Sequence, residues 1–166
     1  MSLRVLGVDP GTIKSGFGLV EEVDRKLLAL DFGAIYTRPK DPLPFRLLEI
    51  KRGLEEVISH HRPQVVALED IFFAKNVKSA LKLGHARGVI LVTALEAHLQ
   101  VVEYTPLEVK QAVVGYGRAD KRQVQQMVKV LLKLREVPQP EDAADALAVA
   151  ICHIHSAEMK RKIRES

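Results

Sequence analysis

Four acidic residues occupy places where carboxylates can work together. Asp9 ends a short apolar run, residues 3–8, and is followed by Pro10 and Gly11. Glu69 ends a second apolar run, residues 65–68, and Asp142 and Asp145 stand three apart after Pro140. At that spacing two side chains share a helix face about 5 to 6 Å apart, so both carboxylates can reach a common point. A carboxylate just beyond an apolar strand lies at the open end of a sheet, where sites collect. Four such groups brought together would repel one another unless cations neutralised them. Hard oxygen donors suit Mg²⁺, which keeps part of its water shell and bridges phosphate oxygens. Plainer explanations exist for most of these residues: acids at a helix start complement its dipole, and Asp-Pro-Gly is a common turn. Glu69 fits such explanations least well.

Positive charge is distributed unevenly over a chain whose net charge is only +4. Residues 74–88 hold Lys75, Lys78, Lys82 and Arg87 with no acid, and residues 118–135 hold Arg118, Lys121, Arg122, Lys129, Lys133 and Arg135 against Asp120 alone. Basic segments on an otherwise acidic chain suggest a polyanionic partner, although a solvated helix face has the same composition. Lys75, Lys78, Lys82 and His85 recur at helical spacing and form a candidate track for a phosphate backbone. Phe72 and Phe73, between Glu69 and that stripe, suit either a core or a platform for unpaired bases. Other signals fail. Lys14-Ser15 lacks the preceding glycines of a phosphate loop, Cys152, His153 and His155 lack the paired spacing of a zinc site, and His60 and His61 simply close a helix.

These residues need a scaffold, and the pattern predicts one. The 166 residues, 47% hydrophobic and 28% charged, exclude disordered and collagen-like classes and fit one domain. Residues 3–8, 16–20 and 27–36 read as strands in an antiparallel meander. A helix follows over about 44–61 with Leu47, Ile50, Leu54, Val57 and Ile58 as its apolar stripe, stopped by Pro63. Residues 65–68 form a fourth strand, Asn76 caps a helix reaching about residue 98, and residues 101–104 form a fifth strand. Beyond it come a short helix over 106–114, a break at Gly115-Tyr116-Gly117, and a helix opened by Asp120 with Gln123 three later. The last helix has Pro140 in its first turn and ends near residue 159, leaving 160–166 as a frayed basic tail of the single domain 1–159. The order predicts an α/β fold, a five-stranded mixed sheet flanked by helices. One cysteine, Cys152, allows no internal disulfide, no basic apolar leader opens the chain, and no window has eighteen uninterrupted apolar residues. A cytoplasmic location without membrane attachment is the expectation.

In four stretches, in order along nearly the whole chain, the sequence resembles the RuvC family of bacterial Holliday-junction resolvases. They are Leu6-Gly7-Val8-Asp9-Pro10-Gly11-Thr12; Leu68-Glu69-Asp70-Ile71-Phe72-Phe73-Ala74-Lys75-Asn76, continued from Ser79 through Gly88; Val109 through Gly115 with Ala119-Asp120-Lys121; and Asp142 through Ala148. The resemblance implies a ribonuclease H-like fold, a homodimer, and Mg²⁺-dependent crossover junction endodeoxyribonuclease activity. Four-way DNA junctions would be resolved by paired symmetric nicks, in recombination and repair. It assigns the catalytic and metal-holding quartet to Asp9, Glu69, Asp142 and Asp145. Asp70 departs from relatives that carry a neutral residue there; since neighbouring strand residues face opposite ways, Glu69 is the expected ligand.

Two Mg²⁺ ions per site with DNA bound, replaceable by Mn²⁺, would flank the scissile phosphate and leave 5′-phosphate and 3′-hydroxyl ends. Lys110 and Lys121 resemble the family's basic residues near the site. With Phe72, Phe73, Lys75, Lys78, Lys82 and Arg118 they complete the expected DNA-binding set. Gly84 and Gly88 permit close approach of a helix, either within the chain or in the dimer that the resemblance favours. RuvA and RuvB branch-migration proteins are expected partners on the resemblance alone. Two other functions compete: a nucleotide-binding protein of the actin and sugar-kinase superfamily, which has a similar Asp-Pro-Gly-Thr loop but uses two lobes, and a junction-binding module without catalysis.

Overall fold

The structure, a computed structural model, describes residues 2–70 and 76–166. Five strands, β1 (Ser2–Asp9), β2 (Lys14–Val23), β3 (Lys26–Tyr36), β4 (Val65–Glu69) and β5 (Gln100–Tyr104), form one sheet in the order β3-β2-β1-β4-β5. The first three are antiparallel, and β4 and β5 continue the sheet in parallel with β1. This is the mixed sheet expected from the sequence, with β2 longer at both ends than its apolar stretch and a register shift between Leu19 and Val20. The parallel additions require crossovers, and α1 (Leu43–His61) and α2 (Val77–Glu96) supply them.

Alternation along the central strands separates two cores. Leu6, Val8, Leu19, Val66 and Leu68 face α1 and α2, where Ile50, Leu54, Ala86 and Ile90 meet them. Val5, Val20, Val65 and Ala67 face α3 (Pro106–Val114), α4 (Lys121–Leu131) and α5 (Glu141–Glu165). Asn76 caps α2 by accepting from Ser79 N–H, and Asp120 and Gln123 form a capping box on α4 as their spacing predicts. A second box, Thr105 with Glu108, opens α3.

Two expectations change, and one open alternative narrows. Pro140 is the N-cap of α5 rather than a residue of its first turn. The helix continues to Glu165, so residues 160–165 are helical rather than frayed; Arg161 pairs with buried Glu22 at 2.8 Å and Lys162 with Glu158 at 2.9 Å, tying the last turns down. Of the two uses open to Gly84 and Gly88, close packing within the chain is not seen among the described residues, where a Cβ added at either would have nothing within 4 Å. Among the described residues no helix is long and apolar enough to cross a membrane.

Candidate active site

The site lies where β1 and β4 end, and three other glycines let α5 approach it closely. A Cβ on Gly7 would stand 1.8 Å from the Ala146 carbonyl oxygen, one on Gly16 would stand 2.1 Å from that of Asp142, and one on Gly18 would meet Leu147 Cδ2 at 2.7 Å. Bare backbone at three positions of β1 and β2 therefore lets the alanine-rich start of α5 lie directly on the sheet. That contact sets Asp142 and Asp145 over the end of β1, where Asp9 is the last strand residue.

Asp9, Asp142 and Asp145 each present an oxygen within 4.8 Å of the others. Their crowding acts on protonation. Burial, followed by the charges of Asp145 and Asp142, pushes Asp9 up to about 8. Asp145 is also raised by burial, against the opposing pull of Lys121. Glu69 lies outside the triad on the same face of the sheet; burial raises it first, then the Asp145 charge, while Lys110 and Lys121 draw it down.

Two ammonium groups partly offset the acids. Lys121 Nζ sits 3.4 Å from Asp145 Oδ2 and 3.3 Å from Glu141 Oε2, and Lys14 Nζ sits 3.0 Å from Asp142 Oδ2. Asp9, Glu69 and Asp145 open onto a cleft of about 870 Å³ with Lys110 and Lys121 in its wall and Pro106, Leu107 and Val109 giving it an apolar side. Hard oxygen donors this close, with one carboxyl driven towards neutrality, form a donor set suited to a divalent cation.

The remaining expected residues are placed as follows. Asp70, one residue past the end of β4, has its Oδ1 3.8 Å from Arg87 on α2 and also lines the cleft beside Glu69. Lys78, Lys82 and Arg118 are exposed and are not among the residues lining the cleft. Phe72, Phe73 and Lys75 lie outside the described residues. Cys152 and His153 are buried along α5, His153 Nδ1 at 2.8 Å from the Tyr104 hydroxyl, and burial pushes the Cys152 thiol up to about 12. Sequence reasoning missed Lys14, Gly7, Gly16 and Gly18; the signal for the glycines was their place inside apolar strands, where glycine is otherwise unfavourable.

The profile of the RuvC family, crossover junction endodeoxyribonuclease RuvC, matches residues 5–153. A crossover junction endodeoxyribonuclease RuvC from Syntrophotalea carbinolica is 61% identical over 153 residues, covering 92% of this chain and 94% of its own. One from Geobacter is 55% identical over 160 residues, covering 96% and 97%. The fold superposes on Thermus thermophilus RuvC in complex with Holliday junction substrate with a TM-score of 0.90 at 39% identity, covering 95% of this chain and 96% of that one. With sheet order, acid cluster and near-full-length matches in agreement, the chain belongs to the RuvC family of crossover junction endodeoxyribonucleases.

Proposed function

We propose that this chain resolves four-way DNA junctions by paired symmetric nicks, using Asp9, Glu69, Asp142 and Asp145 to hold divalent metal at the scissile phosphate. One observation carries the reading: Asp9 from β1 meets Asp142 and Asp145 from α5 within 4.8 Å, and Asp9 and Asp145 line a cleft walled by two lysines. The relatives are named for crossover junction cleavage, and the Thermus thermophilus structure contains a Holliday junction. Mg²⁺, two ions with DNA bound and replaceable by Mn²⁺, would be held by these carboxylates and would supply positive charge at the phosphate and a more acidic water. The chain's own groups prepare for that. Asp9, Asp142 and Asp145 offer hard oxygens, and Glu69 stands at the adjoining strand end. Lys110 and Lys121 face the incoming phosphate from the cleft wall, and Lys121 exchanges its Asp145 partner for phosphate oxygens. In-line hydrolysis leaves 5′-phosphate and 3′-hydroxyl ends without a covalent enzyme intermediate.

Two cuts related by DNA symmetry call for two sites, and a homodimer is the simplest source. Its face is on α2, where Val77, Leu81, Val92 and Leu95 are exposed around Gly84 and Gly88. Phe72 and Phe73 stack on bases freed at the crossover, and Lys75, Lys78, Lys82 and Arg118 follow the backbone. A cytoplasmic protein acting with RuvA and RuvB completes the reading.

The decisive test uses Asp9→Asn, Glu69→Gln, Asp142→Asn and Asp145→Asn on a labelled junction with and without Mg²⁺. Each abolishes nicking while junction binding in EDTA stays the same or tightens, because phosphate repulsion falls. Near-normal cleavage by Asp145→Asn would sink the quartet.

A further inference from the structure

Arg87 is buried in the middle of α2, only 8% exposed, and the chemistry above gives it no role. Its Nη1 donates to the main-chain carbonyl of Glu69 at 2.6 Å, and its Nη2 lies 2.8 Å from Glu103 Oε2 on β5 and 3.8 Å from Asp70 Oδ1. A guanidinium is withdrawn from water at high cost unless its charge and donors are matched: Nη1 has the Glu69 carbonyl, while Nη2 lies in ion-pair range of two carboxylates without a hydrogen-bond partner among the described residues. These groups belong to the ends of β4 and β5, the two parallel strands that finish at the cleft.

The Glu69 carbonyl is where the ladder needs help. Pairing of β1 with β4 stops at Val8 and Leu68, while on the opposite side Asp70 N–H still donates to the Tyr104 carbonyl. Beyond Leu68, therefore, the peptide joining Glu69 to Asp70 is held by β5 through its N–H and by Arg87 through its C=O. The Glu69 side chain leaves the sheet on the face of α5, and Arg87 reaches this peptide from the face of α2. A turn of that peptide would re-aim the Glu69 carboxylate against the Asp9, Asp142 and Asp145 cluster.

We propose that Arg87 is a positioning residue for cleavage, fixing the Glu69 peptide from behind the sheet so that the Glu69 carboxylate meets the metal cluster. This rests on the reading of Glu69 as part of the site. The guanidinium is suited to the task by its planar fork, with one nitrogen donating to a carbonyl and the other placed in ion-pair range of carboxylates. A lysine ammonium can take the carboxylate partner without holding the carbonyl in the same geometry.

The experiment compares Arg87→Lys, Arg87→Met, Glu103→Gln and Glu69→Gln. Four quantities are measured: single-turnover cleavage at saturating junction across a Mg²⁺ titration, junction affinity in EDTA, melting temperature, and the rise in melting temperature caused by Mg²⁺ without DNA. Arg87→Lys is expected to stay folded and to bind junction within about threefold of wild type. Its cleavage should fall about 10- to 100-fold, the loss typical of a misplaced reacting group. Half-saturating Mg²⁺ should rise, and the Mg²⁺-induced increase in melting temperature should shrink. Glu103→Gln removes the neighbouring ion pair but leaves the carbonyl contact, and should cleave within about threefold of wild type at similar or lower stability. If Arg87→Met is unfolded at the assay temperature, Arg87→Lys decides. Wild-type rate and Mg²⁺ dependence in Arg87→Lys overturn the inference, as does an equal cleavage defect in Glu103→Gln. Normal cleavage by Glu69→Gln overturns the reading of the site itself, a separate result.

Discussion

Asp9 is the residue on which the site's charge problem falls. In the folded chain burial and the Asp145 and Asp142 carboxylates raise it from 3.8 to about 8. Between those values the folded chain binds more protons at this position than the unfolded chain, so its contribution to stability falls as pH rises through the window and levels off above it. Asp9→Asn cannot ionise. In EDTA its melting temperature should exceed that of wild type by a margin that grows from pH 4 to pH 8, and Mg²⁺ should narrow the margin by giving the wild-type carboxylate a partner. A margin independent of pH, read by thermal scans across that range, would count against the crowding. Lys121 offers a complementary case, since its ammonium lies 3.4 Å from Asp145 and lines the cleft. Lys121→Gln should lower cleavage about 10²-fold, the scale of losing one electrostatic contact to a developing charge. Quenched-flow cleavage at saturating junction checks this, and an unchanged rate would confine Lys121 to holding α4 against α5.

At the scale of elements, two groups of glycines behave in opposite ways. Gly7→Ala puts a Cβ 1.8 Å from the Ala146 carbonyl oxygen, so α5 must lift from the sheet. The expected cost is about 2 to 3 kcal/mol, near the upper end for overpacking, with cleavage lost even where the fold survives. Gly88→Ala meets nothing within 4 Å and removes a helix-interior glycine, so the isolated chain should gain about 0.5 to 1 kcal/mol. Urea unfolding of both variants separates them. This contrast also marks what the sequence can disclose. The strands, the caps at Asn76 and Asp120, and acids at element ends are local patterns, and they are legible because strand alternation and helical spacing operate over a few residues. Strand alternation predicts that Glu69 and Asp70 face opposite ways, but β4 ends at Glu69, and Asp70 both lies 3.8 Å from Arg87 and lines the cleft. Illegible were contacts between distant segments: Gly7 under Ala146, Lys14 against Asp142, and Arg87 on the Glu69 carbonyl. Arg87 was further hidden because it counts as one more base in a basic segment. The helical tail was misjudged because its anchor, Glu22, lies at the far end of the chain.

For the whole molecule, the α2 face makes association testable. Leu81 and Leu95 are each 62% exposed on either side of Gly84 and Gly88. Leu81→Glu should leave the chain folded, yield monomers in sedimentation at micromolar concentration, and uncouple the two nicks so that nicked junctions accumulate; a dimer with paired cleavage would move the interface elsewhere. The docking of α5 onto β1 also governs when activity can begin. Asp9 is translated early, while Asp142 and Asp145 follow every strand of the sheet, and the glycine-lined surface of β1 and β2 waits for that last helix. Domains fold as synthesis proceeds. On the proposed four-acid site, a growing polypeptide holds only half of the acids until its final helix is made, so cleavage would begin only with the finished domain.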